Sequence, residues 1–150
     1  MLVNQVYHII ATLGFTGYIP YAPGTFGTAI GLFAILLTRP ADAGLLILSI
    51  PVIIVGTVSA HHIEKVLGKD SGHIVIDEFC GYLVSVMFIP KSTGYLIAAF
   101  ILFRLFDIFK PPPVNWIEKK ISGGVGVMLD DLLAGVYANI CLQLWMLFSG

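Results

Sequence analysis

Between residues 43 and 60 the chain carries no charged side chain, and this is one of five apolar stretches. The others span residues 25–38, 78–89, 92–109 and 128–148. Pro40, Pro90 and Pro111 to Pro113 close three of them, because proline cannot continue a helix past its own position. A helix satisfies its backbone polar groups internally, so it is the structure an apolar stretch adopts in lipid. Only 11% of the residues are charged and 57% are hydrophobic, whereas a soluble domain has roughly 25% charged residues. The sequence therefore predicts one all-α domain over residues 1–150, a polytopic membrane helical bundle of about four to five membrane segments. Residues 1–17, mixed apolar and polar, read as an N-terminal interfacial helix. A full crossing takes about 20 helical residues. The stretches from Thr25 and Glu78 are shorter, and they must extend, stop partway or thin the bilayer.

Several function classes drop out. The net charge is -1, so no basic field points to nucleic acid. Cys80 and Cys141 make no disulfide framework and no zinc spacing. No P-loop glycine-lysine motif and no serine or cysteine nucleophile motif occurs. No basic run opens the chain and no small-residue cleavage site follows, so the membrane segments themselves would direct insertion. Nothing in the sequence calls for an obligate protein partner.

Five crossings put successive segment ends on alternate sides of the bilayer. With the start of the first crossing in the cytoplasm, Lys65, Lys69, Lys110, Lys119 and Lys120 fall inside, and Arg39 and Lys91 fall outside. That follows the positive-inside rule. The same arrangement delivers Asp77, Glu78, Asp107, Asp130 and Asp131 to one membrane face. Five converging carboxylates repel one another, and oxygen-only ligands favour a hard cation, Mg²⁺ first and Mn²⁺ or Ca²⁺ next. The plainer reading is a set of solvated helix ends, since acids near helix N-termini are favourable. It suits Asp77, Glu78, Asp130 and Asp131 one by one, but not Asp107 near a C-terminal end.

Arg104, Asp107 and Lys110 follow at i, i+3 and share a helix face. They form either an internal salt bridge or a metal carboxylate flanked by two phosphate-binding cations. Gly123, Gly124 and Gly126 precede a helix expected near Met128, and such glycines form either a flexible turn or a cradle for an oxyanion. Thr25 reads as the cap of the first apolar helix. His61 and His62 read as polar loop residues, and His73, near Asp77 in sequence, is a further candidate phosphate contact.

Four blocks together resemble the phosphatidylglycerophosphatase A family. They are Pro20-Tyr21-Ala22-Pro23-Gly24-Thr25-Phe26-Gly27, Ile74-Val75-Ile76-Asp77-Glu78-Phe79-Cys80-Gly81, the run from Phe103 through Arg104, Asp107 and Lys110 to Pro113, and the run from Gly123 through Asp130 and Asp131 to Gly135. Thr28 stands where the family commonly has serine. The resemblance implies a Mg²⁺-dependent lipid phosphatase of the bacterial cytoplasmic membrane, its site facing the cytoplasm. It would convert phosphatidylglycerophosphate into phosphatidylglycerol and phosphate. Asp77, Glu78, Asp107, Asp130 and Asp131 would hold metal, with Asp107, Asp130 or Asp131 in catalysis. Arg104, Lys110, Gly24, Thr25, His73 and the three glycines would bind the substrate phosphate. An aspartyl-phosphate route stays open. The rival readings are a small ion or metal transporter, a phosphatase of another lipid phosphomonoester, a headgroup phosphotransferase and a structural subunit. Transport sites usually lie at mid-membrane, and the phosphotransferase signature is missing.

Overall fold

The computed structural model describes residues 2–68 and 71–149, the side chains of 118 and 119 excepted. Lys69 and the side chain of Lys119, both counted above as cytoplasmic, lie outside the described residues. Seven α-helices and a short 3-10 turn, and no strand, make up the regular structure of those described. They are α1 (Leu2–Ala11), α2 (Pro23–Thr38), α3 (Asp42–Leu67), α4 (Ile76–Ser85), α5 (Thr93–Phe109), α6 (Val114–Lys120) and α7 (Gly124–Ser149), with the 3-10 turn at Thr16–Tyr18.

Two of these, α3 and α7, are long and apolar enough to cross a membrane, each with 26 residues. At 1.5 Å per residue they reach about 39 Å, beyond the hydrocarbon core of about 30 Å. The remaining expected segments are shorter. α2 has 16 residues, α5 has 17 and α4 only 10. α4 rises about 15 Å, half the depth of the hydrocarbon core.

Helix boundaries differ from the expected ones for identifiable reasons. α3 runs seven residues beyond Ala60 and takes in His61 and His62, which read as polar loop residues. Ala60 and Ile63, a turn apart, are buried in a cluster with Ala11 of α1 and Met128 of α7, so tertiary burial carries the helix on. It stops at Gly68, whose φ of 95° is open to glycine and whose N–H bonds the Glu64 carbonyl at 2.9 Å. α2 begins at Pro23, a residue pre-set for the first helical position. Thr25 therefore sits inside the first turn, without a capping bond from its side chain. α4 ends at Ser85, where the Asn139 amide of α7 donates to the Ser85 carbonyl at 3.0 Å, and Lys91 ties down the chain beyond it. The Lys91 ammonium donates to the carbonyls of Val86 and Ile89, each at 2.8 Å, and to Asp42 at 2.6 Å. Residues 114–120, expected as loop, form α6 immediately after the prolines.

α4 is the hub of the bundle and packs against α2, α3, α5 and α7, while α1 lies on α3 and α6 on α7. Tyr82, Phe103, Leu96, Ala138 and Leu142 form its buried core. Glycines set the helix spacing. A β-carbon at Gly81 would stand 2.6 Å from the backbone carbonyl oxygen of Asp131, and one at Gly135 would overlap the carbonyl of Gly81. Outward-facing side chains stay apolar, among them Leu37, Ile47, Ile54, Ile101 and Phe148. Exposed apolar area on that scale marks an interaction surface.

Candidate active site

The crossing of α4 and α7 brings the first carboxylates together. Asp77 stands four residues before Gly81, and Asp131 four before Gly135. Residues four apart share a helix face, so two helices touching at those glycines present both acids to each other one turn away. Glu78 joins them. One ligand oxygen from each of Asp77, Glu78 and Asp131 can be chosen so that all lie within 4.8 Å of one another. Asp77 Oδ1, Glu78 Oε2 and Asp131 Oδ2 are buried and accept no hydrogen bond from the protein.

Burying acceptors without donors costs on the order of 1–3 kcal/mol each, and more when the group is charged. The cost is visible in the ionisation of the two acids on α4, which lies outside the spanning helices. Burial pushes the Asp77 carboxyl well above its ordinary 3.8, and the neighbouring Glu78 charge adds to the rise. Burial also raises Glu78, against the opposing pull of its bond to Asp77 and of Arg104. Three buried oxygens with unused lone pairs form a donor set that fits one hard cation.

The other two carboxylates are already answered by cations. Arg104 Nη1 bonds Asp107 Oδ2 at 2.5 Å and lies 4.0 Å from Glu78 Oε1. Lys110 Nζ donates to Asp130 Oδ2 at 2.8 Å. Lys110 caps α5 with a positive φ of 44°, its N–H bonding the Phe106 carbonyl, and that turn aims its side chain at α7. The Asp131 N–H bonds Asp130 Oδ1 at 3.2 Å, fixing the two acids relative to each other.

A cleft of about 170 Å³ opens over these groups. Its wall includes Asp77, Glu78, Asp107, Asp130, Asp131, Lys110, Gly123 and Gly126. The structure thus gathers all five predicted carboxylates, one of the two cations and two of the three glycines. The remaining candidates lie elsewhere. Arg104 sits behind the acids. Gly124 is packed against the Thr57 carbonyl and His61 of α3, while Gly126, in the cleft wall, backs onto the Ile121 carbonyl. α7 starts at Gly124 and not near Met128. Gly124 thus belongs to helix packing, Gly123 and Gly126 stay at the cleft, and the two aspartates stand a turn deeper than expected. Gly24 abuts Glu78 and Arg104 from outside the cleft. Thr25 is half-buried in α2 and does not line the cleft. His73 turns away, with Nδ1 bonded to the Gly17 carbonyl at 2.9 Å and its ring stacked on Tyr18 at 4.3 Å.

Ser71, Gly72 and Ser122 also line the cleft, and sequence reasoning missed them. Only their nearness to Asp77 and to the Gly123 run could have signalled them.

A family model described as Phosphatidylglycerophosphatase A matches residues 9–146. A Haemophilus influenzae protein named Phosphatidylglycerophosphatase A is 38% identical, over 97% of this chain and 93% of its own length. An Escherichia coli protein of the same name is 34% identical, over 89% of this chain and 80% of its own. A Bacteroides thetaiotaomicron protein, named provisionally as a phosphatidylinositol-3-phosphatase, is 38% identical over 85% of each chain. No solved structure matches this chain.

Proposed function

The chain belongs to the phosphatidylglycerophosphatase A family, and on that footing we propose that it is a Mg²⁺-dependent phosphatase of phosphatidylglycerophosphate, working at the cytoplasmic face of a bacterial inner membrane. The observation that carries the reading is the triad of buried carboxylates, each with an unpartnered oxygen, in one cleft with Lys110.

Asp77, Glu78 and Asp131 would hold the ion. When bound, Mg²⁺ neutralises phosphoryl charge and makes water more acidic. The chain's own groups supply the rest. Lys110 turns from Asp130 to the phosphoryl oxygens, where a fixed cation stabilises the charge spread over them in the transition state. Asp130 accepts a proton from the attacking water. The phosphorus–oxygen bond to the glycerol breaks as the water oxygen bonds to phosphorus, the leaving glycerol oxygen takes up the proton that Asp130 received, and the products are phosphatidylglycerol and inorganic phosphate. Arg104 keeps Asp107 in place behind the site.

The lipid suits this placement. Its acyl chains stay among the outward apolar side chains of the bundle, while the phosphate enters a cleft at the helix ends. Two spanning helices and the shorter apolar ones support a multi-pass chain. Lys65 and Lys120 belong to the cleft end and Arg39 and Lys91 to the other, which favours a cytoplasmic cleft. The name of the Bacteroides relative favours a second reading, in which the substrate is another lipid phosphomonoester.

Phosphate release by purified protein in detergent separates the two. Phosphatidylglycerophosphate, phosphatidylinositol 3-phosphate and water-soluble glycerol 3-phosphate would be compared at saturating Mg²⁺. The first should have the highest kcat/KM. Preference for the second favours the alternative, and equal turnover of the soluble ester removes the lipid from the reaction.

A further inference from the structure

Gly24, one of the sequence candidates for binding phosphate, lies outside the cleft and against the back of the acidic triad. A β-carbon there would overlap Glu78 Oε1 and come within 2.9 Å of Glu78 Cδ and 3.2 Å of Arg104 Nη1. These neighbours are the ends of flexible side chains. Other close-packed glycines of the bundle are different. Gly81 faces the Asp131 carbonyl and Gly124 faces the backbone of α3, so a methyl there must push neighbouring helices away from each other. At Gly24 the methyl has only a carboxylate and a guanidinium to push.

Glu78 has little slack to absorb the push. One carboxylate oxygen, Oε1, lies against Gly24 and 4.0 Å from Arg104 Nη1, and the other, Oε2, is buried and unpartnered. Displacing the first displaces the second. We propose that Gly24 is a positioning residue for the divalent cation. Its bare α-carbon leaves the room in which the Glu78 carboxylate joins Asp77 and Asp131. This rests on the metal-dependent reading above. It places Gly24 behind a metal ligand and not in contact with phosphate.

The test is a Mn²⁺ titration followed by electron paramagnetic resonance, on purified full-length protein in detergent. Wild type, Gly24→Ala, Glu78→Asp, the double variant and Gly94→Ala would be compared, with thermal unfolding of each. Gly94 has nothing within 4 Å of an added β-carbon, and its variant should bind as wild type does. Gly24→Ala should stay folded and bind Mn²⁺ about 10- to 100-fold more weakly, the usual cost of disturbing the support of a metal ligand. Its KM for lipid at saturating metal should barely move. Glu78→Asp should weaken binding in the wild-type background but recover part of the loss in the Gly24→Ala background, because the carboxylate is then one methylene shorter. Wild-type affinity in Gly24→Ala overturns the inference. So do losses that merely add, and so does a failure to fold that Glu78→Asp does not relieve. If wild type itself binds no Mn²⁺, the metal reading fails and the inference falls with it.

Discussion

Gly135 of α7 is held so close to the Gly81 carbonyl of α4 that no β-carbon fits between them. Asp131 and Asp77 stand one turn away on the same helices, so this contact sets how far apart the two acids are. Gly135→Ala should force the helices apart. Overpacking of this kind costs about 1–3 kcal/mol. Thermal unfolding in detergent should show the loss, and Mn²⁺ affinity should fall with it. Unchanged stability would mean that the crossing is not close-packed.

Arg104 and Asp107 form a part-buried ion pair that also faces Glu78. Removing one partner of a buried pair costs about 3–5 kcal/mol, because the other charge is left alone. Arg104→Met should therefore destabilise the protein strongly. Adding Asp107→Asn to Arg104→Met should restore part of the stability, since the orphaned charge is gone. A double-mutant cycle on unfolding temperatures checks the sign of the coupling.

Lys110 should act on turnover more than on binding. Replacing it with Met removes a fixed cation from the phosphoryl group, and one such donor is worth about 10²- to 10³-fold in kcat. Lys110→Arg should keep most of the rate. Steady-state kinetics with the lipid substrate, reporting kcat and KM separately, decides the matter. A change confined to KM would place Lys110 in substrate capture instead.

Metal affinity should rise with pH. Asp77 and Glu78 hold their protons to higher pH than ordinary carboxyls, and a cation must displace those protons to bind. Raising the pH removes the competitor, so half-saturation should need less Mn²⁺ at about pH 8 than at about pH 5. Titrations at both values test this, and an affinity that falls as pH rises rules it out.

The convergence of Asp77, Glu78, Asp107, Asp130 and Asp131 was legible because placing successive segment ends at opposite ends of a bundle needs only segment order. Side-chain direction was not legible in the same way. His73 sits four residues from Asp77, yet it packs on Tyr18 because the 71–75 loop is bonded to the N-terminal module, with the Val75 N–H on the Ala11 carbonyl at 2.9 Å. Gly124 and Gly126 read equally as a turn or as an oxyanion cradle, and only Gly126 lines the cleft. A glycine run before a helix has the same sequence whether it wraps an anion or lets two backbones touch. His61 and His62 read as loop because hydropathy registers the exposed face, whereas Ile63 and its buried neighbours hold the helix. Crossing number was the weakest inference. Apolar runs separated by prolines do not reveal that α4 ends at Ser85 after ten residues.

Everything proposed for the site turns on a metal held by Asp77, Glu78 and Asp131 driving lipid phosphate release. The decisive measurement is phosphate release from phosphatidylglycerophosphate by purified wild type and Asp131→Asn, each with Mg²⁺ and then with EDTA. Wild type should release phosphate, EDTA should abolish the release and Mg²⁺ should restore it. Folded Asp131→Asn should stay near background at any Mg²⁺ concentration. Release that survives EDTA, or Asp131→Asn protein as active as wild type, would refute the metal-held mechanism.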